Sequence, residues 1–202
     1  MNKQKGFCLW FTGLPCSGKT TIAKIVEDKL KEKGMNVECL DGDVVRQSLT
    51  RDLGFSKEDR DKNIERVTFV AKLLSRNGVA ALVSFVSPYI GARDNARKEC
   101  TNFIEAYVKC PVEECEKRDV KGMYKKARRG EIKDFTGIDD PYEEPLNPEL
   151  VLETDKEDAE KSASRILKKL GETGFIDFYD DIYSPEEEEQ IKKRLKDLGY
   201  IE

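Results

Sequence analysis

The chain has 202 residues and a formal net charge of −4, and its hydrophobic fraction of 38% is enough for one packed core. The acidic balance argues against a nucleic-acid partner, and the absence of histidine excludes Ser-His-Asp catalysis, Cys-His catalysis and a Cys/His zinc site. Six scattered cysteines indicate reduced thiols, and without a long apolar run or a signal cleavage site we expect a cytoplasmic protein with no membrane contact.

The first elements predict a strand-helix-strand unit. Phe7–Thr12 is a short, almost wholly apolar run, which is typical of a central strand buried on both faces. From Lys19, apolar residues recur at three- and four-residue spacing until Gly34, so a helix is expected there. Residues 36–40 form the second predicted strand. The whole unit has the size of a βαβ crossover.

The alternation of helices and strands continues to about residue 170. Ser56 is a candidate N-cap for a helix whose apolar stripe ends at Asn77 and Gly78. Three further strands and a last helix are predicted over residues 79–87, 103–110 and 149–154, and over residues 156–170. This pattern predicts a three-layer α/β fold with a mostly parallel sheet and helices on both faces.

A basic stretch interrupts this pattern between the fourth and fifth strands. Five cations lie within ten residues there, namely Lys121, Lys125, Lys126, Arg128 and Arg129. Such a run is commonly a solvated helix face. Its position after a strand of a nucleotide-binding sheet also allows a mobile basic lid over phosphates.

The loop after the first strand carries the strongest signal. Residues 13–20, GLPCSGKT, match G-x-x-x-x-G-K-[ST] between a predicted strand and a predicted helix, as in P-loop NTPases. Its backbone N–H groups are expected to hold phosphates, with Lys19 on the β- and γ-phosphates and the Thr20 hydroxyl on Mg²⁺. The candidate nucleotide-binding residues are Gly13, Leu14, Pro15, Cys16, Ser17, Gly18, Lys19, Thr20 and Thr21.

The motif does not identify the phosphoryl acceptor, because GTPase switches, ATPase motors and small-molecule kinases share it. A kinase is favoured by the small size of the chain, by a third strand without a terminal aspartate, and by the absence of N-K-x-D. Asp41 and Asp43 end the second strand, where neighbouring strand ends would place both carboxylates near the phosphate loop. One could accept a proton from a hydroxyl and the other could hold metal-bound water, although an Asx turn also explains them.

Several blocks, in this order, resemble the adenylylsulfate kinases: GLPCSGKTT, DGDVVR, LGFSKEDRDKNIERV, SFVSPY, CEKRDVKGMYKKARRGEIKDFTGIDDPYE and NPELVLETD. The similarity runs from about Gly6 to Gly171. It implies ATP with Mg²⁺ as phosphoryl donor, adenosine 5′-phosphosulfate (APS) as acceptor and the 3′-phosphorylated product PAPS. It further implies a homodimer. Because no ATP sulfurylase domain is recognised in the chain, we expect a stand-alone kinase that works alongside a separate sulfurylase.

The resemblance also implies roles for individual residues. Asp41 matches the catalytic aspartate, assisted by Lys19 and by Ser87, a serine described as phosphorylated in parts of the family. For Ser87 we favour positioning of the acceptor, because in-line transfer needs no covalent intermediate. The residues implied to bind APS are Asp41, Arg46, Phe55, Arg60, Asn63, Ser87, Lys121 and Phe135. Taken singly, each also has a plain interpretation as a surface, core or turn residue.

Residues 1–171 are expected to form the kinase domain and residues 172–202 a C-terminal extension. Ser184, Pro185 and Glu187 form a capping box before a short amphipathic helix, which could pack on its own domain or on a partner. Two further functions stay open. One is a kinase for another hydroxylated anion, and the other is a catalytically silent nucleotide-binding regulatory module.

Overall fold

The computed structural model describes residues 4–177 and residue 194, and its strands form one parallel sheet. The strands are β1 Phe7–Thr12, β2 Val37–Asp41, β3 Ala80–Ser84, β4 Phe103–Lys109 and β5 Leu150–Glu153. The helices are α1 Lys19–Glu32, α2 Gly42–Val45, α3 Lys57–Arg76, α4 Ile90–Glu99, α5 Val112–Lys117, α6 Met123–Arg128 and α7 Ala159–Glu172. The predicted α/β class is confirmed, while the capping-box helix near Ser184 lies outside the described residues.

The chain divides into two compact units, Met1–Ile166 and Leu167–Glu202, with the division inside α7. The first unit contains the whole sheet. The second is described from Leu167 to Asp177 and at Arg194, and the domain boundary expected after residue 171 stays a prediction. Within the described ranges, no helix combines the length and apolar character required to span a bilayer.

The strand order determines which strand ends lie beside the phosphate loop. The sheet runs β2-β3-β1-β4-β5, so β3 lies between β1 and β2. Ala80 of β3 pairs with Phe7 on one side and with Val37 on the other. The connection through α1 therefore carries the chain past the position of β3 to the edge strand β2. The direct neighbour of Asp41 is Ser84 at the end of β3.

The core explains why β1 is apolar along its whole length. Every residue of this strand is buried, because layers cover both of its faces. Cys8 and Trp10 belong to a cluster with α3 and α4 that includes Ile64, Val67 and Ala96. Helix α1 contacts β1, β2 and β3 in turn. A central strand that is held in this way fixes the position of the loop that follows it.

The first residues of two helices can be compared with the starts predicted from the sequence. The Ser56 hydroxyl accepts the Asp59 backbone N–H at 3.1 Å, which confirms the predicted cap of α3. The last helix begins at Ala159, three residues later than predicted. Its start is delayed because the Asp158 carboxylate accepts the N–H of Lys161 at 2.7 Å, as a capping side chain does.

Candidate active site

A cavity of about 790 Å³ lies where the carboxyl ends of the strands meet. The phosphate loop forms its centre, and the ends of β2 and β3 lie on the opposite side of β1 from the ends of β4 and β5. The predicted site residues that line it are Pro15, Cys16, Gly18, Lys19, Thr20, Thr21, Asp41, Arg46, Phe55, Arg60, Asn63, Ser87, Lys121 and Phe135. The remaining three, Gly13, Leu14 and Ser17, belong to the loop but are not part of this lining.

Backbone constraints give the phosphate loop its shape. Gly13 has φ +151°, and a Cβ there would come within 2.4 Å of the Val108 carbonyl oxygen, so no other residue fits. Gly18, at φ +104°, turns the chain into the first turn of α1. The N-terminus of this 14-residue helix then lies at the cavity, where its free N–H groups favour an anion.

Lys19 supplies the cation of this loop. Its side chain is buried, and its ammonium donates to the carbonyls of Gly13 at 2.9 Å and Leu14 at 2.7 Å. Burial lowers the pKa of Lys19 to about 8, so the group is still protonated at neutral pH. The loop therefore presents a positive charge together with N–H donors, which is the chemistry that phosphates require.

Thr20 and Asp41 meet across the cavity floor. The Thr20 hydroxyl donates to Asp41 Oδ2 at 2.8 Å, and Asp41 Oδ1 accepts the Asp43 N–H at 2.9 Å. The second bond is the Asx turn anticipated from the sequence, and it caps the short helix α2. The same contacts hold the carboxylate beside the phosphate loop. The Asx turn and the role expected of this aspartate in the site are therefore compatible. A hydroxyl and a carboxylate are the oxygen donors that Mg²⁺ prefers.

An ion pair joins the two sides of the cavity mouth. The Lys121 ammonium donates to the Asp43 carboxylate, and this bond raises the pKa of Lys121. Both side chains are largely exposed. An exposed pair of this kind contributes little to stability, so each partner is free to exchange for a charged ligand.

Phe55 presents an exposed ring between two arginines. The guanidinium carbons of Arg46 and Arg60 lie 4.4 and 5.7 Å from its ring centroid. Burial, followed by the repulsion of Arg60, lowers the pKa of Arg46. Two like charges held close together attract an anion more strongly than either would alone, and the ring beside them offers an aromatic surface of 55% exposure.

Arg60 also connects the two predicted aromatic walls. Its Nε donates to the Phe55 carbonyl at 2.9 Å, and its Nη2 donates to the carbonyl of Asp134, which precedes Phe135. Phe135 is only 8% exposed and packs edge-on against Tyr124 with ring centroids 4.9 Å apart. Phe135 is therefore a packed wall residue, whereas Phe55 is an accessible one.

Two buried polar atoms of the lining have no hydrogen-bond partner among the described residues. They are Asn63 Oδ1 on α3 and Ser84 Oγ at the end of β3. A buried polar atom without a partner is costly, so both atoms are suited to a ligand or to bound water. Ser84 was not among the residues predicted from the sequence, and it stands where other P-loop proteins carry the terminal aspartate of β3.

Ser87 is held in a strained position in the cavity wall. The strand β3 ends at Ser84, three residues before its predicted end, and Ser87 adopts φ +39°. Its hydroxyl accepts the Trp10 indole N–H at 3.0 Å and donates to the Thr12 hydroxyl at 3.1 Å. With both functions of the hydroxyl satisfied and 2% exposure, Ser87 is a fixed part of the wall.

Arg93 fixes the segment that carries Ser87. This buried guanidinium donates to Glu105 at 2.9 Å, to the Ser87 carbonyl at 2.6 Å and to the Glu143 carbonyl at 2.7 Å. The Glu143 N–H donates in turn to Pro88 at 2.8 Å. One side chain thus joins β4, the segment after β3 and the chain that returns from the basic stretch.

The basic stretch contains both an exposed helix face and residues that line the cavity. Three of its cations, Lys125, Lys126 and Arg128, are exposed on α6 and form a solvated helix face. On either side of that helix, Lys121 and Phe135 line the cavity. The stretch therefore covers the mouth of the site as a lid would, and its mobility stays a prediction.

A group beyond β4 and β5 was not singled out from the sequence. Arg118 Nη2 donates to the Thr154 carbonyl at 2.7 Å, and the Thr154 hydroxyl donates to the Ser17 carbonyl at 2.8 Å. Both side chains line the cavity on the side of β1 away from Asp41. Arg118 lies in the CEKRD block, which was noted in the sequence. The sequence alone did not indicate that this side chain would lie beside Thr154, after β5.

The chain is similar to known proteins in sequence and in fold. The family model described as adenylylsulphate kinase matches residues 5–153. An adenylyl-sulfate kinase from Halothermothrix orenii is 59% identical over 182 residues, covering 90% of this chain and 98% of its own. A probable adenylyl-sulfate kinase from Pseudomonas aeruginosa is 62% identical over 169 residues, covering 84% and 79%. The structure of Mycobacterium tuberculosis APS kinase CysC in complex with AMPPNP and APS is 44% identical with a TM-score of 0.80, covering 83% and 98%.

Proposed function

The chain belongs to the adenylylsulphate kinase family, and on that premise we propose that it phosphorylates the 3′-hydroxyl of APS with ATP. The products would be PAPS and ADP. The two substrates would lie on opposite sides of β1, the donor toward β4 and β5 and the acceptor toward β2 and β3. This arrangement follows the usual position of ligands at the carboxyl ends of parallel strands.

The donor site is supported by the phosphate loop. N–H groups at the start of α1 and the Lys19 ammonium would hold the β- and γ-phosphates. Arg118 and Thr154 line the cavity beside the loop and would contact the nucleoside. The Thr20 hydroxyl provides an oxygen ligand that fits Mg²⁺, which when bound would neutralise charge on the transferring phosphoryl group.

Asp41 is the base that we propose for the acceptor. Its carboxylate is oriented by the Thr20 hydroxyl and the Asp43 N–H, so it is positioned without a large side-chain rearrangement. In the transfer it would accept the proton of the ribose 3′-hydroxyl while that oxygen forms the new bond to phosphorus. The bond from phosphorus to the leaving oxygen of ADP breaks in the same displacement.

The observation that carries the choice of acceptor is the exposed Phe55 ring between Arg46 and Arg60. An adenine base can stack on that ring, and the two guanidiniums can neutralise a neighbouring sulfate and phosphate. The unpartnered Asn63 Oδ1 would accept a hydrogen bond from the nucleoside. Lys121 could exchange its bond to Asp43 for the anion, and Phe135 would close the far wall.

The test is ATP turnover with and without APS, followed by identification of the phosphorylation site on the product. Adenosine 5′-phosphate is the matched acceptor control, because it keeps the base and the ribose but lacks the sulfate. We expect turnover to depend on APS and the new phosphate to be on the 3′-oxygen. Turnover with another anionic acceptor would support a different small-molecule kinase, and nucleotide binding without turnover would support a regulatory module.

The assembly and setting of the enzyme are also proposed. The resemblance implies a homodimer, and light scattering of the purified full chain would measure its mass directly. A cytoplasmic location beside a separate ATP sulfurylase would fit a substrate, APS, that such an enzyme supplies. Fractionation of cells and activity of the mixed enzymes on ATP and sulfate would test these two expectations.

A further inference from the structure

Tyr124 makes a contact that neither the sequence analysis nor the proposed mechanism uses. This residue lies on α6, above the phosphate loop, and is 1% exposed. Its hydroxyl donates to the carbonyl of Pro15 in the phosphate loop at 2.9 Å. The edge contact of its ring with Phe135, at 4.9 Å and an interplanar angle of 76°, reaches the wall proposed for the acceptor.

The hydroxyl is the informative part of this side chain. Tyr124 lies in an apolar cluster with Cys110, Cys115 and Ala127, where a phenylalanine would fill nearly the same space. A buried hydroxyl in such a place is costly unless it is hydrogen-bonded. Burial raises the pKa of Tyr124, so the group remains a protonated donor. It donates to the carbonyl of Pro15, which belongs to the phosphate loop.

The contact with Pro15 sets the direction of the next N–H. A trans peptide is planar, so its carbonyl and its N–H point in opposite directions. Because the Pro15 carbonyl points at Tyr124, the N–H of Cys16 points away from it. Cys16 has φ +61°, a conformation that a residue with a side chain keeps only when its surroundings hold it. Lys19 holds the two preceding carbonyls, and Tyr124 holds the third.

The packing continues from the loop to the acceptor wall. The side chains of Leu14 and Cys16 are packed against the same cluster as Tyr124 and Phe135. A Cβ on Gly137, two residues after Phe135, would come within 2.9 Å of Leu14 Cδ2. The loop that holds the donor and the wall that faces the acceptor therefore share one small core, and Tyr124 contacts both of them.

We propose that Tyr124 is a positioning residue for both substrates. Its hydroxyl orients the Pro15–Cys16 peptide for the phosphates of ATP, and its ring supports Phe135 against the adenine of APS. The acceptor half of this inference rests on the proposed function. The donor half does not, since it concerns a hydrogen bond inside the phosphate loop.

The experiment separates the hydroxyl from the ring. Tyr124→Phe removes only the hydroxyl, and Tyr124→Leu removes the aromatic edge as well. Tyr107→Phe is the matched control, because Tyr107 is a similarly buried tyrosine of β4 outside the cavity lining. For each protein, calorimetry gives the Kd of AMPPNP without any acceptor, steady-state kinetics gives the KM for APS, and a thermal scan gives Tm.

We expect Tyr124→Phe to weaken AMPPNP binding by about 3- to 10-fold, the effect of one lost hydrogen bond, with little change in the KM for APS. Tyr124→Leu should add a rise of about 3- to 10-fold in the KM for APS. Tyr107→Phe should change neither constant. If Tyr124→Phe lowers only Tm, or weakens AMPPNP no more than Tyr107→Phe does, the inference is wrong. Since the AMPPNP titration contains no acceptor, its result stands whether or not the wild-type protein phosphorylates APS.

Discussion

Replacement of Phe55 by alanine is the sharpest test of the proposed acceptor site. Stacking of one base on one aromatic ring contributes about 1 to 3 kcal/mol. The KM for APS should therefore rise roughly 5- to 150-fold in Phe55→Ala, while the KM for ATP stays unchanged. Because 55% of the side chain is already exposed, the free energy of unfolding should fall by less than about 1.5 kcal/mol.

Phe135 makes the useful comparison. It is 8% exposed and packs on Tyr124, so alanine there should cost about 3 to 5 kcal/mol of stability and disturb both substrates. The assay is the pair of KM values for each variant, with thermal unfolding alongside. An unchanged KM for APS in Phe55→Ala would refute the stacking argument. A loss that is equal for ATP and APS would show that Phe55 acts through Arg46 and the general shape of the cavity.

Three further changes test other parts of the site. Since Lys19 has a pKa of about 8, its side chain is a charged ammonium below that pH and a neutral amine above it. The kcat/KM for ATP should thus fall about tenfold per pH unit above pH 8, and Lys19→Arg should remove that fall in a profile from pH 7 to 10. Asp41→Asn should lower kcat by about 10²- to 10⁴-fold and leave the Kd of AMPPNP unchanged; parallel losses would instead indicate a metal-binding or structural role. Ser87→Ala should keep substantial turnover but lower stability by about 1 to 3 kcal/mol, because the Trp10 N–H loses its buried acceptor. Complete inactivity with normal binding of both substrates would contradict that expectation.

The elements that the sequence predicted well are those with a local cause. The phosphate loop needs glycine at Gly13 because of the nearby Val108 carbonyl, and such a requirement is visible as a motif. Likewise the Ser56 cap is a contact over three residues. The position of β3 between β1 and β2 depends on pairing over more than 40 residues, and no local pattern encodes it.

The same difference between local and long-range causes applies to the candidate site. The residue types at the acceptor site could be named from blocks of sequence, but their accessibility could not. Phe55 and Phe135 look equivalent in the sequence, and only the packing of Tyr124 and the two arginines distinguishes them. Helix α4 was not predicted, because its N-cap residue, Tyr89, makes no capping side-chain hydrogen bond and its buried face includes the charged Arg93.

The hydrogen bonds around Arg93 have a consequence for motion. The chain returns from the basic stretch into a segment that is held at Glu143 by Arg93 and by the Pro88 carbonyl. Tyr89 also donates to Asp140 at 3.1 Å. Any movement of the α6 region therefore pivots about this fixed segment. The backbone changes that accompany the movement have to occur before Asp140. In a hydrogen-exchange experiment, the Glu143 amide should be protected even when the amides of α6 are not. The segment from Asp140 to Glu143 would then act as the stationary side of a hinge.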